Sequence, residues 1–170
     1  MVMKEYFWNL IWAIIIAGFG YLLVSHFFPE LNHSVIQKLD SFYSNVSLNE
    51  LEKYNPLNEY NISLEDLDYA VCKYIVDNMK PVFINELSEN AKPKAILHIC
   101  SQLVYNKIKY TIERDEDIQY MLEKAKNKEE LIHLCLWKYI REHKEYLLNL
   151  EVEPFVLCIL ENVEQKTLQE

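Results

Sequence analysis

Hydrophobic and polar positions divide the chain into a continuous apolar run at its start and an amphipathic remainder. Positions 6–28 contain no aspartate, glutamate, lysine or arginine. A helix over these 23 residues is about 34 Å long, which is enough to cross the hydrocarbon core of a bilayer, roughly 30 Å thick. The run is too long for a signal peptide, and no small-residue cleavage site follows it. The pattern therefore predicts an uncleaved, single-pass transmembrane anchor over residues 1–29, with the lipid bilayer as its partner.

Four positions within this predicted span differ from their bulky neighbours. Asn9, Ala13, Ala17 and Gly20 are spaced four, four and three residues apart, so they share one face of a helix. Small residues let transmembrane helices approach closely, and an amide inside the membrane needs a polar partner. We therefore expect a homo-oligomer in which these four residues pack helix against helix or line a pore.

The remainder of the chain repeats its apolar positions with helical periodicity and never alternates for long enough to predict a sheet. We expect connecting helices and a loop over residues 30–62, and a cytoplasmic antiparallel helical bundle over residues 63–170. The predicted fold class is all-α: an N-terminal transmembrane helix followed by a small bundle. Expected helix starts are Ser47, Ser63, Pro93, Asp115 and Pro154.

Two of these helices are predicted in more detail. One begins at Ser63, and one runs unbroken from about Lys128 to Leu148. The inward-facing residues expected in the first are Leu67, Val71, Tyr74, Ile75 and Met79. Residues 54–61 have the composition most typical of a loop.

Composition and charge exclude several classes of function. The chain has a formal net charge of −9, so direct binding to nucleic acid is not expected. Both glycines lie in the predicted span, which leaves none for a phosphate-binding loop. His-x-Cys occurs at His98 and at His133, but residues two apart point about 200° apart on a helix. We therefore expect neither a metal nor a cofactor.

The four cysteines each stand alone within an apolar helical pattern. This placement is typical of reduced, buried thiols rather than of a disulfide framework, and it favours a body in the cytoplasm at the bacterial inner membrane. Against this, the amino terminus and Lys4 precede the span, and they favour a cytoplasmic amino terminus with an exported body. We give the placement of the cysteines more weight than the charge, and therefore expect a cytoplasmic body.

A family resemblance arises in the segment 137–144. Small helical bundles of the HEPN class carry an arginine, a polar residue and, a few positions later, a histidine, which RNA-cleaving dimers use. Lys138, Arg141 and His143 resemble this motif in degenerate form, because a lysine replaces the arginine and Arg141 lies too close to His143. The resemblance therefore implies a domain without nuclease activity. His143 also continues an apolar stripe, which predicts that it is buried or lies at an interface.

The predicted span, the small all-α body and this degenerate motif together resemble the membrane accessory proteins of type VI-B CRISPR systems, which are encoded beside an RNA-guided RNase. That resemblance implies a non-enzymatic, ring-like homo-oligomer whose pore depolarises the inner membrane in antiphage defence, with the RNase as functional partner. Two alternatives stay open. One is a membrane-tethered binding module, such as a toxin-immunity or secretion-system subunit. The other is a membrane-tethered HEPN-type RNase that uses Lys138 and His143.

Overall fold

The computed structural model describes residues 29–79 and 82–167. Its α-helices are α1 (Pro29–Asn45), α2 (Leu48–Leu51), α3 (Tyr69–Met79), α4 (Lys92–Arg114), α5 (Glu116–Lys124), α6 (Lys128–Glu142), α7 (Lys144–Leu148) and α8 (Glu153–Thr167). Short 3-10 turns cover Glu52–Tyr54, Pro56–Tyr60, Leu64–Asp66 and Val82–Glu86. These two stretches contain no strand, so the all-α class is confirmed for the part of the chain described.

Several predicted helix starts are confirmed by their capping contacts. The Ser47 hydroxyl accepts a hydrogen bond from the backbone N–H of Glu50, whose carboxylate in turn accepts one from Ser47. The Asp115 carboxylate caps α5 by accepting from the Ile118 N–H at 3.0 Å. Pro93 lies in the first turn of α4, where its missing N–H costs no helical hydrogen bond.

The helix predicted to begin at Ser63 begins later. Ser63 and Asp66 do form a capping box, but it starts only a 3-10 turn. Leu67 then has extended backbone, with ψ of 131°, and the Asp68 carboxylate accepts from the Ala70 N–H at 2.9 Å. The short polar side chain of Asp68 thus caps a second helix start, so α3 begins at Tyr69.

The inward face predicted for α3 is partly wrong. Val71 and Ile75 are buried as expected, but Tyr74 and Met79 are 50% and 56% exposed. Cys72 and Val76 are buried in their place, with no exposed surface. Because α3 starts later than predicted and packs against α4 and α7, its buried face includes Cys72 instead of Tyr74.

The segment predicted to be most loop-like is ordered by the core beneath it. Leu51, Leu57 and Ile62 have no exposed surface. Asn55 is 5% exposed, and its amide donates to the Ile62 carbonyl at 2.8 Å while its side-chain oxygen accepts from the Leu57 N–H at 3.1 Å. The buried Asn55 amide therefore supplies hydrogen-bond partners for two backbone groups of this turn.

The helix predicted from Lys128 to Leu148 is divided at His143, which has φ of −118° and ψ of 47°. Arg141 and Lys144, on either side of the break, form ion pairs with Asp66 and Asp68. The break lets α7 pack against α3 as well as α6, so tertiary contacts override the continuous apolar pattern.

The core lies between α3, α4, α6 and α8, and α8 also packs on α5. Its largest fully buried side chains include Tyr139 and Phe155. None of the helices within the described ranges combines the length and the hydropathy needed to cross a bilayer. The predicted anchor over residues 1–29 lies outside the described part, apart from Pro29, the first residue of α1.

Candidate functional site

The residues predicted to pack or line a pore, Asn9, Ala13, Ala17 and Gly20, lie outside the described residues. The structure instead shows how the chain that follows them joins the body. Val35, in the first half of α1, is 50% exposed, whereas Tyr43, in the second half, is 6% exposed. Polar contacts attach the second half of α1 to the body, and Ile36 and Leu39 also pack against the core. We call these polar contacts the α1 junction.

The first contact of the α1 junction joins α1 to the turn that precedes α4. The Asp40 carboxylate accepts from the Ser88 backbone N–H at 2.6 Å, and the Ser44 and Ser88 hydroxyls lie 3.0 Å apart. Hydrogen bonds from the Ser88 backbone N–H and, to a smaller extent, from its hydroxyl lower the pKa of Asp40. The carboxylate is therefore held in its charged form at this contact.

The second contact lies at the carboxyl end of α1, where the last helical carbonyls have no partner within the helix. The Lys94 ammonium, from α4, donates to the Val46 carbonyl at 2.5 Å and to the Ser44 carbonyl at 3.3 Å. A cation at this end also interacts favourably with the helix dipole. Lys94 therefore both caps α1 and ties it to α4.

The third contact is between Tyr43 and His98, whose hydroxyl and Nδ1 are 3.0 Å apart. Burial lowers the pKa of His98, and a hydrogen bond to the Tyr54 backbone opposes this shift. Burial also raises the pKa of the Tyr43 hydroxyl. Both groups are thus favoured in their neutral forms, as expected of a half-buried polar contact.

Sequence reasoning missed all of these junction residues. The α1-junction residues Asp40, Tyr43, Ser44 and Lys94 are 44 to 55 positions from their partners in the chain. A lone aspartate or lysine on an amphipathic helix has no local signal that separates it from a solvated surface charge.

The degenerate motif is found on and beside α6, and two of its members, Arg141 and His143, have structural partners. The Arg141 guanidinium pairs with Asp66 and lies over the Trp137 ring, 5.6 Å from its centroid. Lys138 is half-buried on the same helix. His143 is outside α6, at the break before α7. The motif therefore does not lie on one continuous helix.

His143 is less buried than its apolar stripe predicts. Its side chain is 41% exposed, and its Nδ1 lies 3.7 Å from the Glu145 carboxylate. Its ring meets that of Tyr146 edge-on, with centroids 6.3 Å apart. Of the two predicted positions, burial is wrong, because the chain leaves its helical path at this residue, and the interface stays a prediction.

The prediction of four reduced thiols is also wrong. Cys72 is bonded to Cys100, and Cys135 is bonded to Cys158. Within the described ranges, no group of three or more histidine, cysteine, aspartate or glutamate side chains is arranged to hold a metal ion. Each cysteine stands alone in its own helix, so the sequence pattern does not predict the pairing. The pairing depends on the packing of α3 against α4 and of α6 against α8.

A groove of about 400 Å³ lies where α4, the amino-terminal end of α6 and the 3-10 turn at Pro56–Tyr60 meet. Its lining mixes charges of both signs, as the side chains of Glu59, Lys109, Glu113 and Lys128 show. The Tyr105 hydroxyl donates to the Glu59 carboxylate at 3.3 Å. This balance of charges favours no single class of ligand.

No family model, no curated protein and no solved structure matches this chain.

Proposed function

We propose that this protein is a membrane-anchored, non-enzymatic homo-oligomer whose N-terminal spans open a path for ions, and that α1 links the position of the body to the position of the span. The observation that carries the proposal is that the polar contacts of α1 with the body lie in its second half. Its second half is fixed by Asp40, Tyr43 and Lys94, whereas Val35 in its first half is exposed.

A helix fixed at one end transmits the orientation of its support. Pro29 to Val35 precede Ile36, which packs against the core, and cover seven residues, or about 10 Å of helix, on the side toward the predicted span. A rotation of the body would therefore move the point at which the chain enters the membrane. If neighbouring bodies pack in a ring, a change in that packing biases the spans between a closed and an open arrangement.

Two features of α6 favour a non-enzymatic protein over a HEPN-type RNase. Arg141, which lies too close to His143 to match the motif, is paired with Asp66. Lys138 cannot supply the planar, bidentate contact of an arginine. The role in antiphage defence and the RNA-guided RNase as partner stay predictions, since they depend on the family resemblance alone.

The junction can be tested in full-length protein reconstituted into vesicles. We expect the double variant Asp40→Ala/Lys94→Met to lower ion flux about tenfold while the native mass in mild detergent is unchanged. The matched control is Asp77→Ala/Lys73→Met, which removes an exposed ion pair within α3. Equal flux from both double variants would show that α1 does not link body and span.

The span is tested separately. Asn9→Leu should abolish flux without changing assembly, whereas Ile15→Leu, about 160° from Ala17 around the predicted helix, should change neither. A wild-type chain that is monomeric or dimeric in detergent and conducts no ions would reject the pore. That result would favour the alternative in which the span is only a tether for a binding module.

A further inference from the structure

Every cysteine of the chain takes part in a bond between two helices. Cys72 of α3 faces Cys100 of α4 with their Cα atoms 5.4 Å apart, and Cys135 of α6 faces Cys158 of α8 with theirs 5.6 Å apart. Both separations lie in the range that a disulfide spans without moving the backbone. Four cysteines thus give two bonds and leave no free thiol in the described part of the chain.

The surroundings of these bonds protect them once they have formed. Cys72, Cys100 and Cys135 have no exposed surface, and Cys158 is 8% exposed. Thiol exchange begins with attack by a thiolate on a sulfur atom, so a small thiol in solution reaches these sulfurs only when the body opens. The bonds are therefore placed as structural crosslinks rather than as exposed, exchangeable ones.

The charge on either side of the predicted span does not decide its orientation. Lys4 and Glu5 precede it, and Glu30 and Lys38 follow it, so one lysine lies close to each end. Disulfides form and persist in oxidising compartments, so the paired cysteines place the body outside the cytoplasm. With a single span, the amino terminus then lies in the cytoplasm.

We infer that the body is exported, with the amino terminus in the cytoplasm, and that it is oxidised at Cys72–Cys100 and at Cys135–Cys158. This inference replaces the expected cytoplasmic body, and it uses the membrane span of the proposed function. Each bond forms from two thiols with the release of two protons and two electrons. The electrons pass to a disulfide-exchange oxidant of the outer compartment, which is itself reduced to a dithiol.

An exported body also changes the chemistry of its partners. Its surface would meet extracytoplasmic proteins or the outer leaflet, not cytoplasmic RNA. Any signal that shifts the packing of the bodies would then arrive from outside the cytoplasm and reach the span through the α1 junction.

The redox state is tested on the full-length chain in a bacterial host. Cells are quenched in acid, and thiols in the denatured protein are counted by the gel shift of a polyethylene-glycol maleimide. We expect no thiol to react before reduction and four to react after it. The double variant Cys72→Ser/Cys100→Ser is the control, and it should change from none to two. Four reactive thiols in the unreduced wild type would overturn the inference.

Orientation is tested with carboxyl-terminal fusions of the same chain to alkaline phosphatase, which is active only when exported, and to a fluorescent protein that matures only in the cytoplasm. We expect phosphatase activity at least tenfold above that of a cytoplasmic control. A membrane-bound chain with a fluorescent body would overturn the inference but leave the span of the proposed function intact. Recovery of the chain in the soluble fraction would instead reject the span. The thiol count would still show whether the two disulfide bonds form.

Discussion

The α1 junction and the body formed by α3 to α8 are held by different kinds of interaction. The body buries an apolar core and is crosslinked at Cys72–Cys100 and Cys135–Cys158. The junction relies on polar side chains near the surface and on the buried Tyr43, beside Ile36 and Leu39, which pack against the core. Its stability should therefore be small compared with that of the body, so α1 can detach while the body stays folded. Separate measurements on the two regions test this difference.

The largest effect is expected from truncating the core. Phe155→Ala removes a side chain without exposed surface and should lower the free energy of unfolding by about 3–5 kcal/mol. Urea unfolding followed by circular dichroism in mild detergent measures this loss. The control is Leu157→Ala on the same helix, which is 48% exposed and should change stability by less than about 1 kcal/mol. Similar losses for both variants would contradict the packing of α8.

The next largest effect is expected from removing one crosslink. The double variant Cys135→Ala/Cys158→Ala frees a loop closed over a sequence separation of 23 and should cost about 3 kcal/mol. The same unfolding assay measures it. A reductant should lower wild-type stability further than it lowers that of the variant, because the variant has one bond left to lose. No effect of the reductant on the wild type would show that the bonds do not contribute.

A smaller effect, confined to the junction, is expected from Lys94→Met, which keeps the apolar stem and removes the donor to the Val46 carbonyl. We expect a loss of about 1 kcal/mol, seen as roughly fivefold faster hydrogen exchange in the second half of α1. Exchange in α3 to α8 should be unchanged. Lys92→Met, which removes an ion pair with the exposed Glu89, is the control and should leave α1 exchange unchanged. Faster exchange throughout the body would show that junction and body unfold together.

The smallest effect is the pH dependence of the junction. Because burial lowers the pKa of His98, the folded protein binds this proton less readily than the unfolded chain does. The contribution of His98 to stability is therefore constant well above pH 6.5 and becomes unfavourable as the pH falls through about 6.5. Exchange in α1 measured from pH 7.5 to 5.5, corrected for intrinsic rates, should rise in the wild type. It should stay level in His98→Gln, and an equal rise in both proteins would assign the effect to other groups.

The sequence predicted the elements whose signals are local. The capping residues Ser47 and Asp115 and the proline at the start of α4 mark helix starts that the structure confirms, because each satisfies backbone groups within a few residues of itself. Ser63 has the same capping pattern, but the helix predicted to begin there begins later, because Asp68 provides a second cap. The predicted span and its small-residue stripe are equally local patterns, and the described structure does not reach them.

The amino-acid sequence by itself thus determined the all-helical class of the described residues, the apolar amino-terminal run and the acidic remainder, because helix periodicity, caps and charge are properties of neighbouring residues. The tertiary structure alone decided the break at His143, the pairing of the four cysteines and the attachment of α1 through Asp40, Lys94 and His98. Each of these depends on which helix faces which. That choice is made by the packing of the whole core and cannot be read from the spacing of residues within one helix.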